Sequence, residues 1–251
     1  MSQLQLETRR FAGRTAVVTG GNAGIGLAVS EALLAQGARV IAAGLEPSAS
    51  AHPCLISCVV DLSTPDGVRT LATLARAERA DILVNNAGVV RNTLLEDVDD
   101  AEFDLMMTLH VRCAMKLAQA CLPHMKAQRF GRIVNVASRA IVGLAGRTAY
   151  GASKAALAAM TRTWALESGP SGITVNTVSP GPIVTGMLTR DIPEHGERAR
   201  ALAASLPLQR LGRPDDVARA VLFFADPANG WITGQNLFVC GGGSLAASLA
   251  L

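Results

Sequence analysis

Aromatic residues make up only 4% of this 251-residue chain, with six phenylalanines, two tryptophans and a single tyrosine, Tyr150. Lysine is equally sparse: Lys116, Lys126 and Lys154 are the only three, and the arginines are scattered rather than clustered. With a formal charge of +3 and no basic run, the chain lacks the dense positive face that nucleic acid binding requires. The five cysteines, Cys54, Cys58, Cys113, Cys121 and Cys240, form no paired CxxC clusters, which excludes a zinc-ribbon site and leaves a reduced, cytoplasmic chain as the expectation. No apolar stretch reaches the ~18 residues of a spanning helix, so no membrane association is expected. The pair Arg9-Arg10 leads into Phe11-Ala12-Gly13-Arg14 rather than into the apolar core of an export signal. Small and aliphatic residues are what the sequence has in plenty: hydrophobic types reach 49% and charged types only 17%, which excludes disorder and provides for a large core.

Short β-branched runs alternate with longer Ala- and Leu-rich segments of helical period, the pattern of repeated βαβ units. Seven strands are predicted, near Thr15–Thr19, Arg39–Ala43, Leu55–Val60, Ile82–Asn85, Arg132–Ala137, Thr174–Ser179 and Asn236–Cys240. Helices are predicted near Gly24–Gln36, Pro65–Arg76, Ala101–Gln128, Ala149–Ser168 and Pro214–Phe224, while Glu46–Pro53 is turn-rich where a further helix would stand. Runs such as Ile133-Val134-Asn135-Val136 are apolar at nearly every position, as parallel strands covered on both faces must be. The expected fold is therefore α/β, a doubly wound, mostly parallel seven-stranded sheet of Rossmann-like type. No repeat or linker divides the chain, so one domain over residues 1–251 is expected, with 182–206 as a substrate lid because that segment interrupts the alternation.

After the first strand, Thr19-Gly20-Gly21-Asn22-Ala23-Gly24-Ile25-Gly26 runs directly into a helix. Glycine lets such a turn close and lets backbone approach a pyrophosphate, while the helix N-terminus offers unpaired N–H groups to the anion. The spacing of Gly20, Gly24 and Gly26 resembles the TGxxxGxG pattern of the short-chain dehydrogenase/reductase family. Further motifs of that family follow in order: Asp61-Leu62, Asn85-Asn86-Ala87-Gly88, Ser138, Tyr150-Gly151-Ala152-Ser153-Lys154 and Pro180-Gly181-Pro182-Ile183-Val184-Thr185. The resemblance implies that Gly20, Asn22, Gly24, Ile25 and Gly26 form the nucleotide turn and that Asp61 with Leu62 meets the adenine region. By the same resemblance, Asn86, Ala87 and Gly88 hold the central strand end against the cofactor. Pro180, Gly181, Ile183 and Thr185 then line the nicotinamide side, and Tyr150 and Lys154 also touch the cofactor.

Tyr150 and Lys154 stand four residues apart, so on a helix both project from one face. A free phenol has a pKa of about 10, and a neighbouring ammonium favours the phenolate, making the pair a general acid/base for a hydroxyl or carbonyl. Ser138, directly after the fifth strand, can donate a hydrogen bond to the same substrate oxygen. The resemblance gives Tyr150 the proton transfer, Lys154 a further hold on the ribose, and hydride exchange with nicotinamide as the chemistry. His110 departs from the pattern, since the family usually has Asn there. An imidazole donates, accepts and titrates near neutrality, so His110 either replaces Asn in a water relay to solvent or is a packing residue.

NAD-preferring relatives end the second strand on an acidic residue. This chain has Gly44-Leu45-Glu46 there and Ala23 where NADP-preferring relatives place a cation, which points to NAD and leaves NADP as the other cofactor. Arg39, at the start of the second strand, is the cation that would have to fold back to meet a 2′-phosphate. The expected pocket includes Arg139, Ala140, Arg147, Met187 and Leu188, with the two arginines able to grip a carboxylate. The expected function is hydride transfer between nicotinamide and a small secondary alcohol or ketone. Reduction of a 3-oxoacyl carrier or CoA thioester is the alternative, and a dinucleotide-binding scaffold without turnover is a second class. Family resemblance adds a homotetramer, with the apolar tail Leu245–Leu251 covering a contact.

Overall fold

The computed structural model describes residues 9–190 and 192–245. Its strands are β1 (Thr15–Thr19), β2 (Arg39–Gly44), β3 (Leu55–Val59), β4 (Ile82–Asn85), β5 (Gly131–Val136), β6 (Ile173–Pro180) and β7 (Asn236–Val239). They form one sheet in the order β3-β2-β1-β4-β5-β6-β7 with every pairing parallel. The expected seven strands are all found, with boundaries displaced by a residue at some ends. The chain reverses its winding direction between β1 and β4, and a doubly wound sheet binds ligands at such a switch point.

The helices are α1 (Gly24–Ala35), α2 (Pro65–Ala77), α3 (Asp100–Met106), α4 (Cys113–Gln128), α5 (Thr148–Ser168), α6 (Gly186–Thr189), α7 (Glu197–Ala204) and α8 (Pro214–Ala225). Local signals explain several of their starts. Thr64 accepts a hydrogen bond from Gly67 N at the head of α2, with Pro65 in the first helical position, and Asp99 accepts from Glu102 N at the head of α3. One face of the sheet buries Val18, Val40, Val84 and Val134 against Val29 and Leu33 of α1 and Val217 and Val221 of α8. The other buries Val17, Ile41, Leu83 and Ile133 against Leu71 of α2, Leu117 and Met125 of α4 and Ala165 of α5. Residues 45–54 between β2 and β3 contain no helix, as the turn-rich composition predicts.

One element differs from the sequence reading. The single helix expected over Ala101–Gln128 is three pieces, because a π-helical turn, Met107–Arg112, separates α3 from α4. Spacing predicts Leu109 on the buried stripe, but the wider turn carries His110 inward to 2% exposure and leaves Leu109 half-buried. The segment 182–206 contains α6 and α7, and it is tied to the body by reciprocal bonds, Gly212 N to Pro182 O (3.0 Å) and Val184 N to Gly212 O (2.9 Å). Of the expected tail contact, only Leu245 lies within the described residues.

The lower end of the sheet, at the strand N-termini, is closed by charge. Asp81 accepts from Thr15 N at 3.0 Å and pairs with Arg14 and His124, each at 3.4 Å. Arg14 and Arg132 both stack on the Phe130 ring, at 3.7 and 4.4 Å, and Arg132 donates to the carbonyls of Asp226 and Pro227. Asp226 in turn pairs with Arg10 at 2.9 Å.

Candidate active site

The strand C-termini form the opposite, upper end. There β1 runs into a turn whose Gly20 and Gly24 have positive φ, +63° and +52°, a conformation that L side chains rarely adopt. A side chain at Gly26 would fall 2.0 Å from Gly20 O, so the helix can approach the strand only with glycine there. Thr19 ties this turn to the Asn85–Gly88 segment: its Oγ1 accepts from Asn86 N and Ala87 N, both at 2.9 Å, and Asn86 Nδ2 donates to Thr19 O at 2.9 Å. Thr185 closes the other side, its Cγ2 lying 3.2 Å from where a Gly24 side chain would begin. Three sequence-predicted segments, the glycine turn, Asn86–Gly88 and Pro180–Thr185, thus converge on one place.

A nicotinamide nucleotide fits these residues. The first turn of α1 has no acidic residue and no side-chain cap, leaving its N–H groups to an anion. Asn22 Oδ1 is buried in the turn without a hydrogen-bond partner, while its Nδ2 donates to Glu46 O at 2.6 Å. Asp61 is exposed beyond β3, where Ser63 donates to it from both N (2.9 Å) and Oγ (2.7 Å) and holds its carboxyl below the usual range. Leu62 beside it is buried. Arg39 pairs with Glu78 at 3.0 Å at the start of β2, the lower end of the sheet, so it does not fold back toward a 2′-phosphate.

The proton-transfer cluster is assembled by β5 and α5. Ser138 directly follows β5, accepts from Ala140 N at 3.1 Å and is hydrogen-bonded through its hydroxyl to the phenol of Tyr150. One turn along α5, Lys154 is 3% exposed and its Nζ donates to Val136 O at 2.8 Å. Burial pushes this ammonium down to about 8. The Lys154 Nζ lies 5.9 Å from the Tyr150 ring centroid; burial raises the phenol, and the Ser138 bond and the charge of Arg147 oppose burial. Gly88 completes the wall, since a side chain there would begin 2.8 Å from His110 Nε2 and 3.4 Å from Lys154 Nζ.

His110 belongs to this cluster, but it does not titrate near neutrality as the sequence suggested. Its Nε2 accepts from Val89 N at 3.1 Å, its Nδ1 lies 2.8 Å from Ser153 Oγ, and its ring meets Tyr150 edge-on at 5.7 Å. Burial, reinforced by the Lys154 charge, pushes the imidazole down to about 2, so it is neutral at working pH. Ser153, which sequence reasoning quoted inside a motif without giving it a role, also donates to Tyr150 O at 2.9 Å. Its only signal was its place next to Lys154.

The expected pocket arginines part company. Arg139 donates from Nη1 to Gly243 O at 3.0 Å and so ties the segment after β5 to the one after β7. Arg147 donates from Nη1 to Arg91 O at 3.0 Å and stands 5.9 Å over the Tyr150 ring, within a loop zipped to its neighbour by the Thr93–Arg147 bridge. Ala140 is buried under Ser138, whereas Met187 and Leu188 lie on α6 directly after Thr185, with Met187 exposed. Among the described residues no cluster of His, Cys, Asp or Glu could hold a metal, and all five cysteines are free. No helix of the described residues is long and apolar enough to cross a membrane.

A family model described as enoyl-(acyl carrier protein) reductase matches residues 20–244. The chain is 38% identical over 246 residues to a (2S)-[(R)-hydroxy(phenyl)methyl]succinyl-CoA dehydrogenase subunit, BbsD, of Thauera aromatica, covering 93% of this chain and 98% of that one. It is 35% identical, at the same coverage, to a 3-oxoacyl-[acyl-carrier-protein] reductase, FabG, of Thermotoga maritima. A solved structure from Beutenbergia cavernae, assigned as an NAD(P)-dependent gluconate 5-dehydrogenase and holding NADP at low occupancy, superposes with a TM-score of 0.84 at 34% identity, over 95% of this chain and 100% of that one. Similarity that runs nearly the full length of both partners, on a doubly wound parallel sheet with the motifs converging at its upper end, shows that this chain belongs to the short-chain dehydrogenase/reductase family of NAD(P)-dependent oxidoreductases.

Proposed function

We propose that this oxidoreductase interconverts a secondary alcohol and its ketone with Tyr150 as the proton-transferring group, and that it prefers NAD. The observation that carries the reading is the hydroxyl pair Ser138–Tyr150 beside the buried Lys154 ammonium. In the oxidative direction Ser138 donates a hydrogen bond to the substrate oxygen while the Tyr150 phenolate takes its proton; the alcohol O–H bond breaks and the phenol O–H bond forms. In reduction the same phenol returns the proton. Arg147 favours the phenolate by its charge. A nicotinamide nucleotide, when bound, supplies the hydride donor or acceptor. Gly20, Asn22, Gly24, Ile25 and Gly26 would hold its phosphates, Asp61 and Leu62 its adenine side, and Asn86, Ala87, Gly88, Pro180, Gly181, Ile183, Thr185 and Lys154 its nicotinamide half. Ala23 and Glu46 at the adenosine end, with Arg39 engaged by Glu78, support NAD over NADP. Residues 182–206 act as the substrate lid.

A second substrate reading, reduction of a 3-oxoacyl thioester, is favoured by the exposed apolar residues Leu94, Leu95, Val142, Leu144 and Met187 on the segments around Arg147 and Thr185, and by the names of the relatives. A cytoplasmic homotetramer completes the proposal. Its support is the apolar surface of Leu166, 81% exposed on α5, and of Trp231, fully exposed before β7. The deciding experiment is a turnover screen of short secondary alcohols with NAD⁺ and NADP⁺ against acetoacetyl-CoA and longer 3-oxoacyl-CoA esters with NADH and NADPH. Alcohol oxidation with NAD⁺ is expected to dominate. Higher kcat/KM on the thioesters selects the second reading, and absence of turnover on every pair overturns both.

A further inference from the structure

His110 is the residue of the site that the proton-transfer scheme leaves without a task, and its surroundings specify one. The imidazole sits where three elements meet: the π-helical turn that carries it, the segment after β4 and the first turns of α5. Nε2 receives the Val89 N–H at 3.1 Å. A ring nitrogen that accepts carries no proton, so in the neutral imidazole the proton is on Nδ1. Nδ1 then donates to Ser153 Oγ at 2.8 Å, and the Ser153 hydroxyl donates to Tyr150 O at 2.9 Å. Donors and acceptors alternate without conflict along the whole chain, from Val89 N–H to the Tyr150 carbonyl. Both ring nitrogens are engaged, leaving neither to exchange protons with a water file, and the ring is 2% exposed.

We infer that His110 is a positioning residue that holds its proton on Nδ1 and, through Ser153, fixes the Tyr150 end of α5 against the Val89 segment. The inference deepens the proposed function and rests on it for its kinetic consequence, since what is positioned is the proton-transferring phenol. The edge-on contact with the Tyr150 ring at 5.7 Å adds a second constraint on the same side chain. Gly88 makes the arrangement possible, because any side chain there would meet Nε2 within 2.8 Å. The π turn belongs to the same device, for a regular α-helix would carry position 110 past the site by part of a turn. The charged and titratable groups facing the ring are Lys154 and Tyr150, both on α5.

Four variants separate the links. His110→Gln extends an acceptor toward Val89, His110→Asn keeps a donor near Ser153, and His110→Phe keeps the ring while losing both bonds. Ser153→Ala cuts the chain one step nearer Tyr150. Misplacing a reacting group by a fraction of an ångström lowers kcat by about ten- to a hundredfold while leaving remote binding intact, so His110→Phe and Ser153→Ala are each expected to lose kcat on that scale with NADH affinity and alcohol KM little changed. The double variant is expected to be no worse than the poorer single, because both cut one chain. The pH profile of kcat/KM keeps its midpoint in every variant, which a relay through the imidazole would not allow. Independently of any substrate, ¹⁵N spectra of the histidine-labelled wild type are expected to show a protonated Nδ1 and an unprotonated Nε2, without change from about pH 5 to about pH 9. Full kcat in His110→Phe, a shifted profile in any variant, or a wild-type imidazole that titrates or carries its proton on Nε2 overturns the inference. A wild type inactive on every substrate pair with the expected ¹⁵N spectrum sinks the proposed reaction and leaves the hydrogen-bonded arrangement standing.

Discussion

The chemistry of this protein is concentrated in a few side chains whose acid strength is set by burial. Tyr150 is lifted by desolvation and drawn back by the Ser138 hydroxyl and the Arg147 charge. Replacing Tyr150 by Phe removes the proton acceptor alone, so turnover is expected to fall by about 10²- to 10⁴-fold with NADH affinity retained, as steady-state kinetics and nucleotide titration would show. Alcohol oxidation needs the phenolate, so its rate is expected to rise toward alkaline pH, and Arg147→Gln is expected to move that rise to higher pH because a positive charge that favoured the phenolate is gone; an unmoved or acid-shifted rise would contradict the role given to Arg147. Gly88→Ala drives a methyl carbon against His110 and Lys154, and overpacking of this kind costs about 1–3 kcal/mol, readable as a lower urea midpoint. Serine, tyrosine and lysine were legible in the sequence because the spacing of a strand end and one helical turn brings them together. The direction of Lys154 was not, since only the fold reveals that the Val136 carbonyl lies within 2.8 Å of its ammonium.

At the level of elements, strands were readable to within about a residue because parallel strands covered on both faces are apolar throughout. The starts of α2 and α3 were readable to within a residue, and the structure caps them with Thr64 and Asp99. The π turn was not readable. Met106, Leu109, Cys113 and Leu117 keep helical spacing across it, so periodicity alone continues the helix and places Leu109 inward. Where a neutral His110 replaces Leu109 at the buried position, the element acquires a pH dependence of its own. The folded imidazole sits at about 2, against about 6.5 for an exposed one, so as the pH falls below the latter the unfolded chain takes up a proton that the folded one refuses. Stability present above pH 6.5 is therefore lost on acidification, by about 1.4 kcal/mol per pH unit. Urea titrations of wild type and His110→Asn at about pH 5 and pH 7 are expected to show a smaller acid loss in the variant. Lys154 acts in the alkaline range: with a folded value of about 8 against 10.5, it makes stability rise with pH between those limits.

At the scale of the molecule, preference between nucleotides depends on what the upper end lacks. With Arg39 engaged at the lower end and Ala23 in the glycine turn, NADH is expected to bind more tightly than NADPH in direct titrations followed by nucleotide fluorescence. Tighter NADPH binding would reverse the assignment. The exposed Leu166, Trp231, Leu237 and Phe223 are expected to be covered in a homotetramer, and a monodisperse monomer in sedimentation at micromolar concentration would exclude it. The doubly wound parallel sheet was legible because alternating strands and helices with a glycine turn after the first strand admit few windings. Subunit contacts were not, since an apolar residue reads alike whether its partner is in the same chain or another. The lower end, with Asp81, Phe130 and Arg132 locked between β1, β4 and β5, has a practical consequence. A lysine introduced at the exposed position of Ala228, beside Asp226, would join a support to the end of the sheet remote from Tyr150 and leave the upper end of the sheet clear of it.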